Sequence, residues 1–122
     1  MPLSRYDFSS LGLNSALVDN LSSLGYAEMT PIQAQALPSI LSNKDVIAKA
    51  KTGSGKTATF ALGLLNKLEV KRFRVQTLVL CPTRELADQV AVEIRKLARG
   101  IHNIKVLTLC GGMAFGQQTA GF

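Results

Sequence analysis

The sequence predicts an α/β chain built around a parallel sheet, and three observations point there. Apolar runs at residues 45–50, 75–81 and 104–109 have the length of buried strands. Stretches with apolar residues at helical spacing lie between them, so strand and helix signals alternate in the manner of parallel strands joined by crossover helices. A glycine-rich turn links the first run to the helix that follows it.

Taken in order, Leu17, Leu21 and Leu24 recur at helical spacing within residues 14–24, with Asn14 or Ser15 placed to cap the start and Gly25 to stop the end. Thr30, Pro31 and Gln33 make a second helix start: threonine caps, proline takes the first helical position, and glutamine can close a capping box. Pro38 is expected to break or kink that helix before residues 39–41. The strand signal at 45–50 is followed by a mostly apolar helix over 56–68. After the second strand signal, Thr83 opens a helix with Leu86, Val90, Ile94 and Leu97 on one face, closed by Gly100. The third run is halted by Gly111 and Gly112.

A length of 122 residues supports one modest domain. With 47% hydrophobic and 18% charged residues, the composition is that of a chain that folds rather than a disordered one. Lys and Arg number 14 against 8 Asp and Glu, and the net charge of +6 favours polyanionic partners without naming one. Lys71, Arg72 and Arg74 form the densest basic cluster and read as a solvated charge run. Cys81 and Cys110 fall in apolar runs and read as reduced core residues. No stretch suits a signal peptide or a membrane span, so no membrane partner and a cytoplasmic location are expected. His102 reads as a solvated loop residue, since no second ligand is spaced to join it on a metal.

The most informative residues are Ala50, Lys51, Thr52, Gly53, Ser54, Gly55, Lys56 and Thr57, set between a strand signal and a helix. Gly53 and Gly55 allow a backbone whose successive amides point at an anion, and the new helix adds the positive end of its dipole. A nucleotide's phosphates would be cradled there, with Lys56 as a point charge on the β- and γ-phosphates and the Thr57 hydroxyl on a bridging Mg²⁺. The general phosphate-loop pattern opens with glycine, whereas this one opens with Ala50.

With Ala50 in that slot, residues 50–57 resemble the first motif of DEAD-box RNA helicases, and three further segments agree. Residues 25–33 resemble the family's Q motif, and Phe8 lies seventeen residues before Gly25, where the family places an aromatic. Residues 82–87 resemble its first RNA-contacting motif, and residues 111–112 its paired-glycine motif. Several runs resemble most closely a bacterial group of these helicases directed at ribosomal RNA. The resemblance implies that residues 1–122 are the N-terminal part of a RecA-like P-loop NTPase domain, truncated, with the second RecA-like domain absent.

It further implies that ATP and Mg²⁺ are bound by residues 50–57, with Gln33 hydrogen-bonding adenine and Phe8 stacking on it. From the residues alone, Gln33 reads equally as the capping-box partner of Thr30, and the two roles can coexist. Pro82, Thr83, Arg84, Gly111 and Gly112 would meet the RNA sugar-phosphate backbone. Lys56 and Thr57 are the catalytic candidates in this chain. Neither strand run after the phosphate loop ends in an acidic residue, and no Asp-Glu-Ala-Asp occurs, so these residues alone are expected to bind without completing hydrolysis. Two other readings stay open. Another P-loop NTPase is one, although a GTPase would need an Asn-Lys-x-Asp reader and residues 43–45 lack the spacer; a non-catalytic nucleotide- or RNA-binding fragment is the other.

Overall fold

The computed structural model describes residues 7–72, 74–101 and 103–109. Within them the chain forms a short 3₁₀ turn at Phe8–Leu11, then α1 (Ser15–Ser23), α2 (Pro31–Leu41), α3 (Lys56–Lys67) and α4 (Arg84–Leu97), with a second 3₁₀ turn at Ala98–Gly100. The helix starts follow the local chemistry. The Asn14 side chain accepts from Ala16 N at 2.9 Å, and Thr83 Oγ1 accepts from Leu86 N at 3.1 Å. At α2, Pro31 stands in the first turn and Gln33 Oε1 reaches back to accept from Thr30 N at 2.9 Å.

Of the two outcomes expected at Pro38, a break does not occur: α2 runs on through it to Leu41. Its ring is exposed, and Leu37 and Ile40 on either side are held by packing, so the one backbone bond that proline forfeits is tolerated within the helix. The chain leaves α2 when Ser42 N donates to Pro38 O at 3.1 Å.

α3 packs on α2 along one flank and on α4 along the other, while α1 closes against α4 and the turn after it. The shared core draws Leu17 and Leu21 from α1, Leu37 from α2, Leu62 and Leu65 from α3, and Val90, Ile94 and Leu97 from α4. Two asparagines pin α1. Asn14 N donates to Asn66 Oδ1 of α3 at 2.8 Å, and Asn20 Nδ2 donates to Lys96 O and Leu97 O at 3.0 and 2.9 Å, satisfying carbonyls that a helix end leaves open.

The three expected strands form no ladder among the described residues. Residues 45–50 and 75–81 instead leave Ile47 95% exposed and Leu80 85% exposed. A parallel strand gains its backbone bonds only from neighbours on either side, and the intervening helices cannot supply them. Residues 104–109 are partly held: Ile104 and Val106 touch the core, and Arg95 Nη2 donates to Val106 O at 3.0 Å. The bare runs also explain why Leu86, expected on the core face of α4, is exposed. Cys81 is free and half-buried at the core's edge, while Cys110, His102 and the 111–112 glycines lie outside the described residues. Lys71, Arg72 and Arg74 are exposed, and Arg72 pairs with Glu69 at 2.7 Å. No helix among the described residues is long and apolar enough to cross a membrane.

Candidate functional site

Between the bare run and α3, the chain turns tightly, with Ser54 N donating to Lys51 O at 3.1 Å. Gly53 and Gly55 take φ of +83° and +93°, a region that an L side chain rarely enters, so both glycines are required by the shape of the loop. Gly55 is the N-cap of α3, and its carbonyl accepts the first helical bond from Thr59 N at 3.1 Å. The amides that open α3 have no acceptor within their own helix, which leaves donors and the positive dipole end at the loop.

From Val46 to Leu68 the chain contains no acidic residue, whereas Lys49, Lys51 and Lys56 are exposed around the turn. This one-signed charge suits an anion. A shallow cleft of about 370 Å³ adjoins it, lined by Thr30, Pro31, Ile32 and Gln35 of the α2 start and by Lys49, Ala50 and Ser54 of the loop. Among the described residues, Ser54 Oγ is buried there without a hydrogen-bond partner. Buried hydroxyls are normally satisfied, so a polar ligand in the cleft would meet one group that needs a partner.

Gln33 is 1% exposed and does not line the cleft directly. Its Oε1 takes the Thr30 amide, and its Nε2 donates to Gly55 O at 3.3 Å, tying the α2 start to the loop. Hence the capping role and a contact with the loop coexist. Phe8 is likewise buried, its ring meeting Tyr26 edge-on with centroids 6.4 Å apart, so in this arrangement the ring serves the core and offers no open face to a base. The Tyr26 hydroxyl donates to Glu93 Oε1 at 2.6 Å, and burial, with help from that carboxylate, pushes its pKa up to about 12.

Lys56 is exposed and Thr57 half-buried in the first turn of α3. Among the described residues no cluster of three His, Cys, Asp or Glu side chains could hold a metal ion. A lone hydroxyl suits Mg²⁺ carried by a nucleotide's own oxygens rather than one caged by protein. At the other candidate surface, Pro82, Thr83 and Arg84 are exposed at the start of α4, where Thr83 caps and Glu85 stands in the first turn. Gln35 and Lys49 join the cleft without belonging to any of the motifs. The acid-free stretch around Lys49 is a visible signal in the sequence, whereas Gln35 gains its place beside the loop only from the packing of α2 on α3.

Comparison with known proteins sets this geometry in context. The chain is 62% identical over 112 residues, 91% of its length, to the ATP-dependent RNA helicase DbpA of Escherichia coli K12, of which it covers 24%. Among solved structures it is similar to a DEAD box protein from the hyperthermophile Methanococcus jannaschii, with TM-score 0.89 and 35% identity over 95% of this chain and 32% of that one. It is also similar to a variant of Saccharomyces cerevisiae Dbp5 bound to RNA and ADP BeF3, with TM-score 0.76 and 30% identity over 80% of this chain and 25% of that one. The chain thus spans about a quarter to a third of the length of these relatives. Since the likeness covers nearly the whole chain, bare runs included, the α/β RecA-like class holds although the described residues contain no ladder. Residues 30–122 match the DEAD/DEAH box helicase family, and the chain belongs to it.

Proposed function

We propose that this chain is the nucleotide-gripping part of an ATP-dependent RNA helicase. The observation that carries the proposal is the loop ending at Gly55: two glycines in the left-handed region, a helix start behind them, exposed lysines and no acidic residue from Val46 to Leu68. Family membership and the names of the relatives, ATP-dependent RNA helicases, support the same reading.

In this proposal residues 50–57 hold the triphosphate through their amides, and Lys56 neutralises charge that grows on the outer phosphates as the bond to the leaving group loosens. Bound Mg²⁺ would add further charge neutralisation between those phosphates, with Thr57 Oγ1 as its protein ligand. The purine would settle in the cleft beside Pro31 and Ile32 and be read by the Gln33 amide, whose adjacent acceptor and donor match adenine. Stacking by Phe8 requires its ring to turn out of the Tyr26 contact. Pro82, Thr83 and Arg84, with Gly111 and Gly112, would meet the RNA backbone, where the α4 amides also favour phosphate. Contacts of that kind carry little sequence information, so any preference for ribosomal RNA would come from elsewhere in the protein. The acidic group that orients water and the second RecA-like domain are also proposed to come from beyond these residues, and the setting is proposed to be cytoplasmic.

The test is RNA-stimulated ATP turnover by the full natural chain. Lys56→Ala is expected to lower it by roughly a hundredfold or more through lost electrostatic stabilisation. Turnover that survives this substitution would remove Lys56 from the mechanism.

A further inference from the structure

Two polar side chains, Gln33 and Thr59, are buried among the described residues, and both end on the same atom. The Gly55 carbonyl oxygen accepts from Thr59 N at 3.1 Å, from Thr59 Oγ1 at 2.8 Å and from Gln33 Nε2 at 3.3 Å. An oxygen with two lone pairs is oversubscribed by three donors. The Gln33 contact is the longest, lying outside the roughly 2.7–3.2 Å usual for such bonds. The amide cannot be reversed, because its oxygen faces the Thr30 N–H and its nitrogen faces a carbonyl.

We propose that Thr59 is a positioning residue for base recognition, its hydroxyl holding the Gly55 carbonyl so that the Gln33 amide can be released to the nucleobase. This rests on the reading of Gln33 as the adenine-contacting residue. Gln33 is only 1% exposed, with Oε1 on Thr30 N and one of its two amide hydrogens on Gly55 O. Its side chain must therefore turn to reach a ligand, and turning breaks the long bond to Gly55 O. Without the Thr59 hydroxyl, Gln33 would be the second of two donors on Gly55 O, and its departure would leave that carbonyl with the Thr59 N–H alone. With Thr59 N and Oγ1 already there, the oxygen stays satisfied and the departure costs little. A threonine hydroxyl bonded four residues back is common in helices. Here the carbonyl it holds belongs to the N-cap of the phosphate-loop helix and is shared with a side chain of another helix. Gly55 makes the sharing possible, since a Cβ there would stand 2.5 Å from Gln33 Nε2.

Affinities of the full natural chain for ATP, GTP and tripolyphosphate, measured by calorimetry, test the proposal. Thr59→Val keeps the shape and removes the hydroxyl; it is expected to weaken ATP about five- to tenfold while GTP and tripolyphosphate change little. Thr59→Ser should restore the ATP preference, and Thr59→Val should add nothing in a Gln33→Ala background. Thr59→Ala, read the same way, serves if Val does not fit the buried site. Equal weakening of all three ligands, or an unchanged preference for ATP over GTP, overturns the role of Thr59. Should Gln33→Ala alone leave that preference intact, the base-reading assignment itself fails, and the Thr59 proposal with it.

Discussion

The four-helix side of the molecule and the runs at 45–50 and 75–81 both carry large apolar side chains, yet they meet opposite fates. Leu62 in α3 is fully buried, whereas Ile47 and Leu80 are almost wholly exposed. A helix closes its backbone bonds within itself, so one covered stripe suffices to settle it. A strand has neither its hydrogen bonds nor its burial until neighbours stand beside it. The helical layer therefore follows from local sequence and pairwise packing, and the sheet waits for strands that the described residues do not contain.

The contrast breaks most easily at its two extremes. Leu62→Ala is expected to remove about 3–5 kcal/mol, the range for a leucine lost from a close-packed core. A chain with bare apolar runs is expected to be marginally stable, so that loss should abolish any cooperative thermal transition seen by circular dichroism. Ile47→Ala and Leu80→Ala, at sites without packing, should alter stability by less than about 0.5 kcal/mol. Comparable losses from Leu62→Ala and Ile47→Ala would mean that residues 45–50 are packed in solution and the contrast is false.

Legibility in the sequence followed the range of the forces involved. The cap at Asn14, the box at Thr30 and Gln33 and the cap at Thr83 obey rules spanning three residues, and each stands where the sequence put it. The turn at residues 51–55 was legible for the same reason, because glycine spacing states the backbone requirement directly. Pro38 does not break α2 because the penalty of a proline inside a helix is local while the packing of Leu37 and Ile40 that outweighs it is not. Strand pairing failed for a related reason: an apolar run names a strand without naming its partner. The burial of Phe8 against Tyr26 and the meeting of Gln33 with Gly55, 22 residues on, depend on how helices pack and left no periodic trace.

A smaller effect sharpens the packed side. Adding a Cβ at Gly63 would drive it into Ile40 Cγ2, a methyl on a β-branched carbon with little freedom to retreat. The gain in helix propensity from Gly63→Ala, about 1 kcal/mol, should be outweighed by overpacking of about 1–3 kcal/mol, a modest net loss read from the urea midpoint. Pairing it with Ile40→Ala should recover much of that loss, since the two sites share one contact. Additive losses would show that α2 and α3 separate freely at this point, and that the packed layer is looser than the core residues imply.

The finest distinction lies at the rim of the packed side, where Tyr26 joins the loop before α2 to Glu93 of α4. Its pKa rises from 10.0 to about 12, chiefly through burial, then through the hydrogen bond to Glu93 and its charge. The folded state therefore keeps the phenolic proton where the unfolded chain has begun to lose it. The stabilisation is fully present below pH 10 and declines as pH climbs towards 12. Melting temperatures followed from pH 9 upward should fall more steeply for the natural chain than for Tyr26→Phe, which titrates at neither end. Lysines also discharge in this window, so the difference between the two chains isolates the tyrosine. At neutral pH the substitution should cost only about 1 kcal/mol for the lost hydrogen bond. Parallel alkaline limbs would mean that the hydroxyl is solvated in solution and that the packed layer ends short of Tyr26.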